Sequence, residues 1–126
     1  MSSNIQSVST PRSGEGTWLW LLKIVTGILL VVLLFIHLLV NHFLSQHGLM
    51  NYADIVAYYQ NPIIPIMEVC LLAAVVFHSL TGLRGIILDL KPALSLLKVI
   101  DIILIIVGVT AVTYGIWLVT VIASRG

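Results

Sequence analysis

His78-Ser79-Leu80-Thr81-Gly82-Leu83-Arg84-Gly85-Ile86-Ile87-Leu88-Asp89 sets a histidine, an arginine and an aspartate inside an apolar run long enough to cross a membrane. Wound as a helix, Ala74, His78, Gly82, Gly85 and Asp89 follow one another at steps of four, four, three and four, so they share one face. That face is small, polar at two points and open beside an imidazole. Such a surface suits a flat cofactor, whereas a helix that meets only lipid has no use for it.

The rest of the chain agrees with a membrane setting. Of its 126 residues 60% are hydrophobic and 9% charged, and its mean hydropathy is +1.13. A soluble domain of this size has too little interior to hide that much apolar surface. The formal net charge of +1 comes from a few residues at segment ends, which gives no basic patch for nucleic acid. A single cysteine, Cys70, rules out a disulfide framework or a thiolate metal site, and its place in an apolar run reads as small-residue packing.

Residues 1–17 are rich in Ser, Gly and Pro and read as a flexible polar arm on the cytoplasmic side. They do not read as a secretory signal, because the apolar run that follows is too long and lacks a small-residue cleavage pattern. The expected fold is all-α and integral to the membrane, with one three-helix anchor domain over residues 18–126 and spans at about 18–42, 65–88 and 96–122. Trp18 and Trp20 suit an interfacial belt, and Lys23 can snorkel to the same surface. Between the first two spans, Tyr52, Ile55, Val56 and Tyr59 recur at helical spacing, which predicts a short amphipathic helix in the interface. Pro65 fits a first turn, Lys91-Pro92 stops the second span, and Gly108, Ala111 and Gly115 form a small stripe for close packing.

Basic residues near the span ends set the orientation. Arg12, Lys23, Arg84, Lys91 and Lys98 fall on one side and only Arg125 on the other, while the 44–62 connection has neither Lys nor Arg. The N-terminus is therefore expected in the cytoplasm and the C-terminus outside.

Of the four histidines, His42 and His47 read as solvated interfacial residues. His37 and His78 lie within spans, where an ionisable group needs a partner, a cavity or a cofactor. For either alone, a hydrogen bond to a neighbouring helix explains as much as metal ligation does. As a pair in different helices they favour haem iron, which accepts imidazoles from facing helices. They do not share one iron. His37 is about five residues in from His42, roughly 7–8 Å, and His78 about twelve in from Ile66, roughly 18 Å. The mismatch is on the order of 10 Å, so each histidine, if a ligand, serves its own haem and takes its second ligand from another chain.

Arg84 lies about 9 Å further toward the cytoplasmic face than His78, where its fork suits a haem propionate or, equally, a lipid phosphate. Asp89 sits at the membrane edge and can pair with a lysine, pass protons to a redox ligand, or simply be a helix-end charge. Glu68, near the outer start of the second span, is neutral through desolvation, in contact with solvent, or a handler of protons. Lys98 and Asp101 are spaced for a local ion pair, and Tyr114 reads as packing.

The pattern His78-x-x-x-Gly82-Leu83-x-x-Ile86-Ile87-x-Asp89 resembles the second helix of the D-type membrane-anchor subunit of succinate dehydrogenase (succinate:quinone oxidoreductase). Thr26-Gly27 with His37 ten residues on resembles that family's first helix. The resemblance implies a chain that pairs with a C-type anchor, shares haem b and a quinone site with it, and docks an iron–sulfur subunit and a flavoprotein subunit on the cytoplasmic side. It implies His78 as a haem b axial ligand, His37 as the additional ligand of the two-haem members, and Asp89 at the proximal quinone site. Many relatives carry a quinone-bonding tyrosine directly after the aspartate, where this chain has Leu90.

The resemblance implies an electron-transfer anchor in a bacterial or archaeal inner membrane. It is expected to be non-catalytic toward succinate by itself, with FAD and iron–sulfur clusters in partner subunits only and two haems b each shared with a partner. A fumarate reductase anchor is built from the same parts and run in reverse. A haem-free anchor with both histidines merely hydrogen-bonded is a separate class, and three spans without a repeat argue against a transporter.

Overall fold

Unbroken Leu, Ile and Val runs leave the backbone no partner in hydrocarbon other than itself, so they wind into helices. The computed structural model describes residues 16–44 and 50–125. These comprise α1 (Thr17–Leu44), α2 (Tyr52–Tyr59), α3 (Ile63–Asp89) and α4 (Leu94–Ala123). The three long helices have 28, 27 and 30 residues, about 42, 40 and 45 Å at 1.5 Å per residue. Each is long and apolar enough to cross a membrane. Residues 1–15 of the polar arm, Arg12 among them, and His47 lie outside the described residues, while Thr17, expected in the arm, opens α1.

α3 is the centre of the molecule: it packs against α1 on one side and α4 on the other, while α2 lies across α4 and α3. Among the described residues α1 and α4 form no comparable interface. The α3–α4 contact is built on notches. A Cβ on Gly108 would stand 2.9 Å from Leu80 Cδ1, and one on Gly115 would collide with Leu72. Two leucines of α3 thus sit against bare backbone of α4, the close approach that small residues permit between membrane helices.

The expected spans were short by a few residues at their ends. α3 begins at Ile63, so Pro65 occupies the third helical position, where its missing N–H is still not needed. It ends at Asp89; Lys91 adopts a left-handed conformation with φ 51° and donates its N–H to Leu88 O at 3.0 Å before Pro92 turns the chain. α2 starts on a reciprocal cap: Asn51 Oδ1 accepts from Asp54 N, and Asp54 Oδ2 accepts from Asn51 N, both at 3.0 Å. Gln60 Nε2 donates to Val56 O and to Ala123 O, tying the end of α2 to the end of α4.

Three local expectations are corrected. Tyr52 does not belong to the packed face of α2, being 63% exposed, and Tyr58 takes that place at 8%. Its hydroxyl reaches a polar partner on α3, and no apolar periodicity marks such a bond. Cys70 is exposed and not packed. Tyr114 faces outward beside Trp117, with ring centroids 5.7 Å apart. The outer faces of α1 and α4 are strongly apolar, with Phe35 62% and Ile105 65% exposed, a surface for lipid or for other membrane helices.

Candidate functional site

His78 projects from the middle of α3 onto α1 at Lys23–Gly27. Its Nδ1 lies 3.2 Å from Lys23 O and 3.3 Å from Thr26 Oγ1. The carbonyl only accepts, so Nδ1 carries a hydrogen, which in the neutral ring leaves the lone pair on Nε2. Thr26 is itself held by hydrogen bonds to Leu22 O and Lys23 O. Gly27 makes room for the ring, since a Cβ there would come to 3.2 Å from His78 Cε1. The small face of α3 is divided between two surroundings. Ala74 is buried, and the Lys23 ammonium lies 3.3 Å from where a Cβ of Gly85 would stand. A Cβ on Gly82 would meet nothing within 4 Å. Asp89 is exposed in the last turn.

Arg84 turns to the α4 side. Its Nε donates to Asp101 Oδ1 at 2.7 Å and its Nη2 to Oδ2 at 3.1 Å, a two-pronged pair across the interface. Asp101 therefore pairs with Arg84 of α3 and not, as its spacing suggested, with Lys98. The guanidinium fork matches both carboxylate oxygens at once, which an ammonium does not. This ion pair closes one end of a groove of about 630 Å³ between α3 and α4, lined beyond it by Phe77, Leu80, Ile105 and Val109.

His37 sits near the other end of the membrane, where α1 passes the start of α3. Its Nδ1 is 2.8 Å from Glu68 Oε1. Tyr58 donates its hydroxyl to that same oxygen at 3.0 Å. On the far side of the ring, Asn41 Nδ2 lies 3.2 Å from Nε2 and donates to His37 O at 2.8 Å. Burial first, then the bond to Glu68, holds the Tyr58 phenol well above the usual tyrosine range. Tyr59 is raised as well, by burial and then by the charge of Glu68.

His78 thus meets α1 at Gly27 and His37 leaves α1 ten residues later, a separation of about 15 Å along the helix. The expected gap in depth between the two rings is present, and larger. Of the residues singled out in the sequence, α1 and α3 bring His37 together with Glu68, while Arg84 and Asp89 are not drawn to either ring. Asn41 and Tyr58 were missed. Asn41 was findable, one turn beyond His37 on the same helix; Tyr58 was not, because its partner lies on another helix.

A family model described as succinate dehydrogenase/fumarate reductase transmembrane subunit matches residues 1–117. The chain belongs to that family. The succinate dehydrogenase hydrophobic membrane anchor subunit of Archaeoglobus fulgidus is 30% identical to this anchor subunit over 99 residues, 79% of this chain and 84% of the relative. The succinate dehydrogenase 2 membrane subunit SdhC of Mycobacterium tuberculosis is 36% identical over 78 residues, 62% of this chain and 57% of the relative. No solved structure matches significantly. As a membrane anchor of this family, the subunit works in the bilayer together with partner subunits.

Proposed function

We propose that this anchor subunit supplies one axial imidazole to each of two b-type haems, His78 near the Lys23–Arg84 end and His37 near the α2 end, in a succinate:quinone oxidoreductase. The observation that carries the reading is the state of the two rings. Each Nδ1 faces an oxygen acceptor, which leaves Nε2 with the lone pair, as in metal-bound histidines held by an outer hydrogen bond. Their separation of about 15 Å gives each ring its own metal, with the second ligand drawn from another anchor chain. Open space at Gly82, on the face of His78, supports a planar group there. Bound haem supplies a one-electron couple whose potential follows its ligands, hydrogen bonds and burial.

The chain's own residues set the geometry. Lys23 O and Gly27 seat the His78 ring. Asn41 yields Nε2 of His37 while keeping its bond to the His37 carbonyl. Arg84, whose Nε and Nη2 are engaged by Asp101, is the residue proposed to lie toward a haem propionate. Asp89, four residues beyond Gly85 and exposed, is the residue for quinone and its protons; Leu90 leaves the quinone's second bond to another subunit. Glu68 is the remaining candidate for proton handling. The concentration of Lys and Arg at the His78 end supports an N-terminus in the cytoplasm, with the iron–sulfur and flavoprotein subunits docking on that side. The His78–Asp89 likeness supports the D-type member of the anchor pair.

Purification through a tag on this subunit tests the reading. The expected complex oxidises succinate, reduces quinone and shows b-type bands in a reduced-minus-oxidised spectrum. A haem-free complex leaves the anchor role alone, a reading favoured at His37 by Asn41, which satisfies Nε2 within the chain. Asp89→Asn is expected to lower quinone reduction at least tenfold with haem intact; an unchanged rate contradicts the quinone role.

A further inference from the structure

We propose that Glu68 and Tyr58 are positioning residues for His37, and that through them α2 is a working part of the site at its end of the membrane; this rests on the reading of His37 as a haem ligand. The hydrogen bonds there have one polarity. Asn41 Nδ2 lies 2.8 Å from a backbone carbonyl, which only accepts, so the group is the amide NH2. The same nitrogen stands 3.2 Å from His37 Nε2, which therefore carries the lone pair. The ring hydrogen is on Nδ1 and is donated to Glu68 Oε1 at 2.8 Å. That oxygen also accepts from Tyr58, so two donors from two helices converge on one side-chain oxygen of Glu68.

The Glu68 side chain is 13% exposed and Tyr58 is buried, so both bonds lie where competing solvent is scarce. A carboxylate on Nδ1–H fixes the tautomer and the rotation of the ring and strengthens Nε2 as a ligand. Tyr58 in turn fixes the carboxylate and ties it to α2, whose own start is locked by the Asn51–Asp54 cap. Neither residue touches the metal. They act on it through the charge they place behind the imidazole.

The two residues pull in opposite directions. Glu68→Gln keeps an acceptor oxygen for Nδ1–H but removes the negative charge, which weakens the ligand's donation and favours the reduced haem. Tyr58→Phe removes a donor from the carboxylate and leaves it a stronger acceptor, which favours the oxidised haem. The test is redox titration of the purified complex, with the haem in question identified as the one lost in His37→Ala. Glu68→Gln is expected to keep both haems and to shift that haem's equilibrium about tenfold toward reduced, about 59 mV for one electron. The other haem does not move. Tyr58→Phe is expected to shift the same haem the other way, and Glu68→Asp to restore part of the wild-type value. Midpoints unchanged in Glu68→Gln overturn the proposal, and if that variant fails to assemble, an unchanged midpoint in Tyr58→Phe does so. Retention of both haems in His37→Ala instead removes the ligand reading on which the proposal stands.

Discussion

Gly27 shows how much of the site rests on single residues. Its missing side chain is what lets the His78 ring lie 3.2 Å from Lys23 O. Gly27→Val fills that space with a branched group and pushes the ring off its acceptor. The expected outcome is a complex that lacks the His78 haem and keeps the His37 haem, measured as haem content per complex. At the other end, the raised pKa of Tyr58 gives a pH dependence. An ordinary phenol titrates near 10, and the folded value is higher. The neutral phenol is thus favoured by folding, and its contribution is complete below about pH 10. It is lost as pH rises through the folded value. Ultraviolet titration of tyrosinate should find the Tyr58 and Tyr59 phenols ionising above the ordinary tyrosine range, and Tyr58→Phe should remove one of these late steps. His37 and His78 were legible because a histidine within a span is rare enough to ask for a reason, whereas Thr26 and Gly27 entered only through the likeness to the family's first helix. Arg84 was legible as a fork for an anion, but its pairing with Asp101, on a neighbouring helix, was not.

At the scale of elements, the notches in α4 decide the packing. Gly115→Leu puts a side chain where Leu72 already lies, and Gly108→Leu does the same against Leu80. Overpacking of this kind costs about 1–3 kcal/mol, and either change is expected to lower the Tm of the purified complex. Asp101→Asn removes the charge that faces the Arg84 fork across the same interface; it too is expected to lower the Tm, as is Arg84→Lys, because an ammonium cannot grip both oxygens. The three spans were legible, since apolar length alone forces a helix in hydrocarbon. The stripe from Gly108 to Gly115 was legible for the same reason that it packs: bare backbone in a span has few other uses. The face of α2 was legible only in part. Periodicity found the helix, but a polar bond to Glu68, absent from any hydrophobic pattern, decided that Tyr58 and not Tyr52 turns inward.

On the scale of the whole molecule, α3 packs against both other long helices, whereas among the described residues α1 makes its main interface with α3. The apolar outer faces of α1 and α4 then suit a second anchor chain as well as lipid. The depth difference between His37 and His78 was legible from residue counts because the helix rise is fixed; the hydrogen-bond state of each ring was not, because it depends on which helix lies opposite. Both enter one claim, that this subunit holds two haems at two levels by one imidazole each. Haem content of the purified complex, by pyridine haemochrome against protein, tests it most directly in wild type, His37→Ala, His78→Ala and the double variant. The account predicts two, one, one and none. Loss of both haems in either single variant with the complex otherwise assembled, or loss of neither, would contradict it.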